Sequence, residues 1–318
     1  MAGDGRAPAA LGTIVRVSES PLQPAGLPFL KGHGTQNDFV ILPDHDGLLT
    51  VGPETVAALC DRRAGIGGDG MLRVVRSAAD PAAVHLADQA EWFMDYRNSD
   101  GSIAEMCGNG VRVFARYLVH AGLAKPGPLA IATRAGVRRA RIAEDAADGT
   151  PGDVTVEMGT ALLPGPDTVE VTVGARTWPA RNVNMGNPHA VAFVEDLGQA
   201  GDLLTAPLTG PDGVYPDGVN VEFVMDRGPR HVAMRVHERG SGETRSCGTG
   251  ACAVAVAAAR RDGADPAVTG ESVAYTVDLP GGRLLITEHP DGRVEMTGAA
   301  VIVGSGVIDA GWLASAMR

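Results

Sequence analysis

Apolar and polar positions along this chain change period several times, and the changes mark its elements. LPFLKGHGTQNDFVIL, from residue 27, sets two short apolar runs around a turn, which predicts a β-hairpin. ETVAALCDRRAG reads as a short helix with Cys60 on its apolar face. GGDGMLRVV reads as a turn entering a strand, and AEWFMDYRNSDG as a strand leaving into a turn. CGNG at 107–110 then opens a helix, VRVFARYLVHAG. In it Val111, Phe114, Ala115 and Leu118 recur at helical spacing, and Gly122 supplies the stop. Residues 123–180 hold four short strands, LAIAT, VRRARI, DVTVEM and TVEVTV, separated by Pro151-Gly152 and Pro164-Gly165-Pro166.

After this segment the earlier order of motifs returns. NMGNPHAVAFV echoes HGTQNDFVIL, and PDGVNVEFV echoes GGDGMLRVV. MRVHERGSGETRSCGTGACAVAVAAARRDG echoes FMDYRNSDGSIAEMCGNGVRVFARYLVHAG. Three echoes in one order predict an internal duplication. The fold class expected is α+β, with two pseudo-twofold-related domains, each a curved or barrel-like sheet around a central helix. The second helix, ACAVAVAAA, is small enough for strands to wrap closely, and Arg260 and Arg261 put the favourable charge at its C-terminus. Residues 1–26, rich in Ala, Gly and Pro, read as a flexible extension with one short strand at TIVRV. The first domain is expected over 27–150 and the second over 151–297.

Composition narrows the functions. Apolar residues at 44% and charged residues at 20% suit a globular protein able to bury a core. A net charge of −11 argues against nucleic acid or an anionic membrane as partner. No apolar run approaches the ~20 residues that cross a bilayer. The first residues have no basic segment followed by an apolar one, so no signal peptide is read and a cytoplasmic location is expected. Four cysteines in 318 residues, without a CxxC pair or zinc-ligand spacing, point neither to a disulfide scaffold nor to a metal site.

Two of those cysteines, Cys107 and Cys247, head nearly the same phrase, CGNG and CGTG. A helix start is expected to lower a thiol's pKa, and its free N–H groups can hold a carboxylate. Two such devices on a twofold axis would set sulfurs on opposite faces of one carbon. One thiolate would remove an α-proton while the opposite thiol returns one, inverting the centre. Lysines are confined to Lys31 and Lys125, so no pyridoxal-type site is read and no cofactor is expected. The competing reading is two buried structural thiols, which the repeated glycine context disfavours. Cys60 and Cys252 read as structural. Asn98, Asn187 and Asn220 could equally be turn formers, and Arg239 a surface charge. GIGGDG lacks the Gly-Lys-Ser/Thr of a nucleotide loop.

Taken together, GTQNDF, DRRAGIGGDG, YRNSDGS, MCGNG, NMGNPHAV, DGVNVEF and ERGSGETRSCGTGACA resemble the diaminopimelate epimerase family from about residue 27 onward. The resemblance implies interconversion of LL- and meso-diaminopimelate without pyridoxal phosphate or metal, on the route to lysine and peptidoglycan. It implies Cys107 and Cys247 as the acid/base pair, and Gly108, Asn109, Gly248 and Thr249 as donors to the reacting carboxylate. Asn98, Asn187, Asn220 and Arg239 match residues that hold the distal amino-acid end, and Asn37 matches a further substrate contact. His189 and Glu238 match residues that tune the thiols, and Glu238 suits the substrate ammonium. It further implies that 298–318 rejoins the first domain, and a homodimer is expected. Gly70 departs from the pattern, because some members carry Gln there.

Rival readings remain open at this stage. A proline-type racemase would leave Asn98, Asn220 and Arg239 without partners, at ~1–3 kcal/mol for each buried unpaired group. A dithiol redox enzyme would more usually carry CxxC. A binding protein without chemistry has no need of both cysteines.

Overall fold

The first hairpin forms as expected, from β1 (Leu27–Gly34) and β2 (Asn37–Pro43), with Gly34 opposite Asn37. Thr35 and Gln36 turn it with φ of 50° and 63°, the pair of left-handed residues that a two-residue turn between twisted strands requires. The structure, a computed structural model, describes residues 26–316, so the extension and its strand at TIVRV lie outside the described residues.

Seven strands and two helices follow one another in the first half. After β2 come α1 (Pro53–Cys60), β3 (Gly70–Arg76), β4 (Trp92–Asn98), α2 (Gly108–His120), β5 (Gly127–Thr133), β6 (Gly136–Ile142) and β7 (Val154–Thr160). Strand β2 pairs parallel with β3, β3 antiparallel with β4, and β4 parallel with β5; β5–β6 and β6–β7 are antiparallel. The second half contains β8 (Thr168–Val173), β9 (Arg176–Asn184), β10 (Pro188–Phe193), β11 (Leu208–Gly210), β12 (Asn220–Gly228), β13 (His231–Glu238), β14 (Gly242–Glu243), α3 (Gly248–Arg261), α4 (Pro266–Thr269), β15 (Val273–Leu279), β16 (Gly282–Glu288) and β17 (Arg293–Gly298). Its ladder repeats the first in order and direction: β9–β10 antiparallel, β10–β12 parallel, β12–β13 antiparallel, β13–β15 parallel, then β15–β16 and β16–β17 antiparallel. The duplication seen as three sequence echoes is therefore a duplication of hydrogen-bond pattern.

The halves meet at β7 and β17, the equivalent last strands, which pair antiparallel. The chain end, β18 (Val301–Ile308), crosses back to pair with β1, as β8 pairs with β9. A closing helix, α5 (Ala310–Ala316), lies against α1.

Each long helix runs inside its half. On α2, Val111, Phe114, Ala115 and Leu118 are all fully buried, the residues whose spacing predicted the helix. On α3, every residue from Ala251 to Ala259 is buried, so this helix is apolar all round and only small side chains let strands close on it. Residues of both helices and of β7, β16 and β17 share one continuous core. That core brings two helix starts, far apart in sequence, to one place.

Candidate active site

Both cysteines are helix N-caps. Gly110 N–H donates to Cys107 Sγ at 3.4 Å, and Gly250 N–H donates to Cys247 Sγ at 3.3 Å. A thiol is a weak acceptor compared with the usual Ser or Asp cap, and the bond strengthens if the sulfur is ionised. Space is tight at the glycine that follows each thiol. A Cβ on Gly108 would sit 2.7 Å from Met158 Cε, and one on Gly248 would sit 3.2 Å from Met296 Sδ. Met296 of β17 touches both helix starts and so sits between them.

At the α2 start, Cys107 donates to Asn37 Oδ1 at 3.6 Å, and the Asn109 amide donates to the same oxygen at 3.2 Å. Asn37 is held for this by Asp69, whose carboxylate accepts from its Nδ2 at 2.8 Å. Asn109 also reaches across to the other half, donating to Ser246 O at 3.3 Å and Ser246 Oγ at 3.2 Å. Ser246 immediately precedes Cys247, so a short polar bridge ties the two helix starts.

At the α3 start, Cys247 lies 3.6 Å from Thr249 Oγ1, and the Glu238 charge acts on it. Thr244 Oγ1 donates to Glu238. His189 is fully buried; its Nδ1 meets Glu222 Oε1 at 2.6 Å, and its Nε2 meets Asn187 Oδ1 at 3.0 Å. A Cβ on Gly250 would come within 2.7 Å of Glu222 Oε1, which places that carboxylate against the first turn of α3.

The remaining expected residues are Asn98, Asn220 and Arg239. Asn98 receives Tyr96 O–H at 2.9 Å and donates to Ser102 at 3.0 Å. Asn220 accepts from the backbone N–H of Arg239 at 2.8 Å, while the exposed Arg239 guanidinium donates to Asp217 O at 3.0 Å. Asn98, Asn187, Asn220 and Arg239 make no hydrogen bond to either thiol. Gly70 is explained by crowding: a Cβ there would lie 2.6 Å from Arg97 O and 2.8 Å from the Tyr96 ring. The Tyr96 ring takes the space a longer side chain would use, and its hydroxyl is what reaches Asn98.

Thiol acidity differs from the sequence expectation. Burial pushes Cys107 up to about 11; the Gly110 N–H opposes this and the Glu238 charge adds to it. Cys247 is raised well above its ordinary value by burial, then by Glu238 and Glu222. Glu238 is itself raised by burial, with hydrogen bonds from Thr244 and Cys247 opposing. The helix start does act in the expected direction. It is outweighed because loss of water penalises the thiolate more than one N–H repays. Burial favours the protonated form of both thiols, and the charge of one carboxylate, Glu238, acts on both in the same direction.

Glu222, Ser246, Thr35 and Arg112 were missed by sequence reasoning. For Glu222 a signal existed, because strand alternation puts it on the same face as Asn220. Arg112 sits three residues after Asn109 within an apolar helix, an anomaly visible in VRVFAR. Among the described residues, no group of three or more His, Cys, Asp or Glu is arranged to hold a metal ion.

Comparisons with known proteins identify the family. Residues 29–163 and 181–303 match the family described as diaminopimelate epimerase. The chain is 71% identical to a diaminopimelate epimerase of Streptomyces coelicolor, covering 90% of this chain and 96% of that one. It is 46% identical to the Rhodococcus jostii enzyme of the same name, covering 89% and 98%. Among solved structures, a Bacillus anthracis protein of the PhzF family matches with a TM-score of 0.65 at 15% identity, covering 90% of this chain and 99% of that one. A hydroxyproline epimerase from Agrobacterium vitis matches with a TM-score of 0.60 at 18% identity, covering 89% and 90%. At such identities the likeness concerns the fold alone.

Proposed function

The chain belongs to the diaminopimelate epimerase family, and from that premise we propose that Cys107 and Cys247 are its two proton-transfer groups. The activity is that of an isomerase of lysine biosynthesis, independent of pyridoxal phosphate, which converts LL- to meso-diaminopimelate. The observation that carries the proposal is the pair of thiols capping two equivalent helices, with their first turns bridged by Asn109 and Ser246.

In this reading the α-carboxylate of the reacting centre sits on the free N–H groups of Gly108, Asn109, Gly248 and Thr249. One sulfur, as thiolate, takes the α-proton; the electron pair moves into the carboxylate, which the helix N–H groups stabilise. The opposite thiol then delivers its proton to the other face, so the two sulfurs exchange protonation state and the centre inverts. Glu238 is the acceptor for the proton that must leave one thiol first, and it faces the substrate ammonium. His189 is held in place by Glu222. Asn37, Asn98, Asn187, Asn220 and Arg239 read the distal ammonium and carboxylate, for which amides and a guanidinium fork are suited.

A homodimer in the cytoplasm belongs to the same proposal. Strand β18 supports the dimer, since it pairs only with β1 among the described strands and exposes Val303 and Val307; the mass in solution measures it. No helix of the described residues is long and apolar enough to cross a membrane.

The test is incubation with LL-diaminopimelate in D₂O. Deuterium should enter a single α-carbon as meso product forms. Cys107→Ala and Cys247→Ala should each fold and lose about 10³-fold or more in kcat. Either variant turning over at the parent rate would remove the two-thiol mechanism.

A further inference from the structure

Arg112 has the largest side chain that is fully buried in this protein, yet it forms no ion pair among the described residues. A buried guanidinium normally sits against a carboxylate, because an unpaired charge in the interior is costly. Here all three of its partners are neutral. Nη2 donates to Asn109 Oδ1 at 2.6 Å and to Thr35 Oγ1 at 3.0 Å, and Nη1 donates to Ala299 O at 2.9 Å. Nε has no partner. Burial lowers its pKa to about 10, so the group still carries its charge at neutral pH. Space around it is reserved: a Cβ on Gly298 would lie 2.7 Å from Nη1, and one on Gly34 would lie 3.1 Å from Nη2.

The partners of Arg112 are the groups that arrange the thiols. With Oδ1 of Asn109 taken by the guanidinium, the amide must turn Nδ2 outward, towards Asn37 and Ser246. Thr35 Oγ1 lies 2.5 Å from Ser246 Oγ, so the same cation also steadies the residue before Cys247. Charged and titratable groups facing Cys107 are Arg112 on its own helix, Glu238 from β13 and Tyr96 from β4. Those facing Arg112 are Cys107, Cys252 of α3 and Asp153 at the start of β7. Glu238 opposes a thiolate at Cys107, and Arg112 is the fixed positive charge that favours one.

We propose that Arg112 is the buried cation of the reaction centre, a positioning residue that fixes the Asn109 amide and offsets the negative charge forming on Cys107 and on the adjacent carboxylate. This rests on the reading of Cys107 as a proton-transfer group. It assigns this interior cation, which has no ion pair, a counter-ion that exists only during turnover. The competing view is a purely structural tie among the β1–β2 turn, α2 and the link from β17 to β18.

The experiment compares Arg112→Gln and Arg112→Lys, each made in the active enzyme and in a Cys247→Ala background. In that background the pH dependence of iodoacetamide alkylation reports the Cys107 thiol. Arg112→Gln should move the alkylation midpoint up by about one pH unit or more and lower kcat by about 10²-fold. Arg112→Lys should leave the midpoint near the parent's but still lower kcat, because an ammonium cannot hold Asn109 and Thr35 in one plane. A folded Arg112→Gln with an unmoved midpoint and a loss confined to thermal stability would overturn the proposal. If Arg112→Gln does not fold, Arg112→Lys decides: parent kcat in that variant sinks the positioning role. Failure of the underlying two-thiol reading shows separately, as activity retained in Cys107→Ala.

Discussion

Cys107 and Cys247 stand in equivalent places, yet the first turns of their helices face different residues. Glu222 is fully buried, its Oε2 has no partner, and its charge helps raise the Cys247 thiol. At the corresponding place on the Cys107 side stands the apolar Leu72, which lies against Gly110 as Glu222 lies against Gly250, and that thiol meets the neutral amide of Asn37 instead. The sign of a substitution follows. Glu222→Gln removes a negative charge near Cys247, so the Cys247 thiol should ionise at lower pH, seen as faster alkylation in a Cys107→Ala background. The same change takes the carboxylate from His189 Nδ1, and kcat in the otherwise unchanged enzyme should fall. An alkylation profile identical to that of the parent would show that Glu222 does not act on Cys247.

Among elements, the two central helices solve one packing problem in two ways. Helix α2 fills its barrel with Phe114, Tyr117 and Leu118, whereas α3 presents alanine and valine on all sides. A strand layer can therefore approach α3 closely, and added volume there has nowhere to go. Ala258→Leu, at a position with no exposure, should destabilise by about 1–3 kcal/mol in denaturant unfolding. A neutral result would mean that the layer around α3 is loosely packed. This contrast was legible in sequence, since ACAVAVAAA and VRVFARYLVH announce their bulk directly. The closing helix α5 and the short β14 were not legible, since neither has enough residues for a period to show.

For the whole molecule, the equivalent strands β7 and β17 form the seam, and the proposed chemistry lies where the helix starts converge beside it. Asn109, His189, Asn220, Ser246 and Cys247 are all buried. Surface cavities of about 650 Å³ along β5 and β6, and about 230 Å³ near Phe193 and Arg261, lie away from the thiols. Parting of the halves would admit a substrate as long as diaminopimelate, and their return would expel water from the carbanion. Small-angle scattering should show a smaller radius of gyration with a tight substrate analogue than without it. Superimposable profiles would mean that entry needs only local side-chain motion.

Periodicity, turn residues and repeated phrases were enough to reveal the elements, the duplication and the two capped thiols, because each depends on neighbours a few residues apart. Asn37, Asn98, Asn187, Asn220, Glu238 and Arg239 entered as candidates only through the family resemblance that their short motifs carry. Only the tertiary structure decided the acidity of the thiols, since desolvation is set by everything packed around a group and here exceeds the helix-start effect. It alone brought Thr35 to Ser246 and Asn109 to the same serine, contacts across 211 and 137 residues of chain. It alone made Arg112 a charge without a counter-charge, because a helix pattern places a side chain on a face but leaves open what the opposite wall supplies.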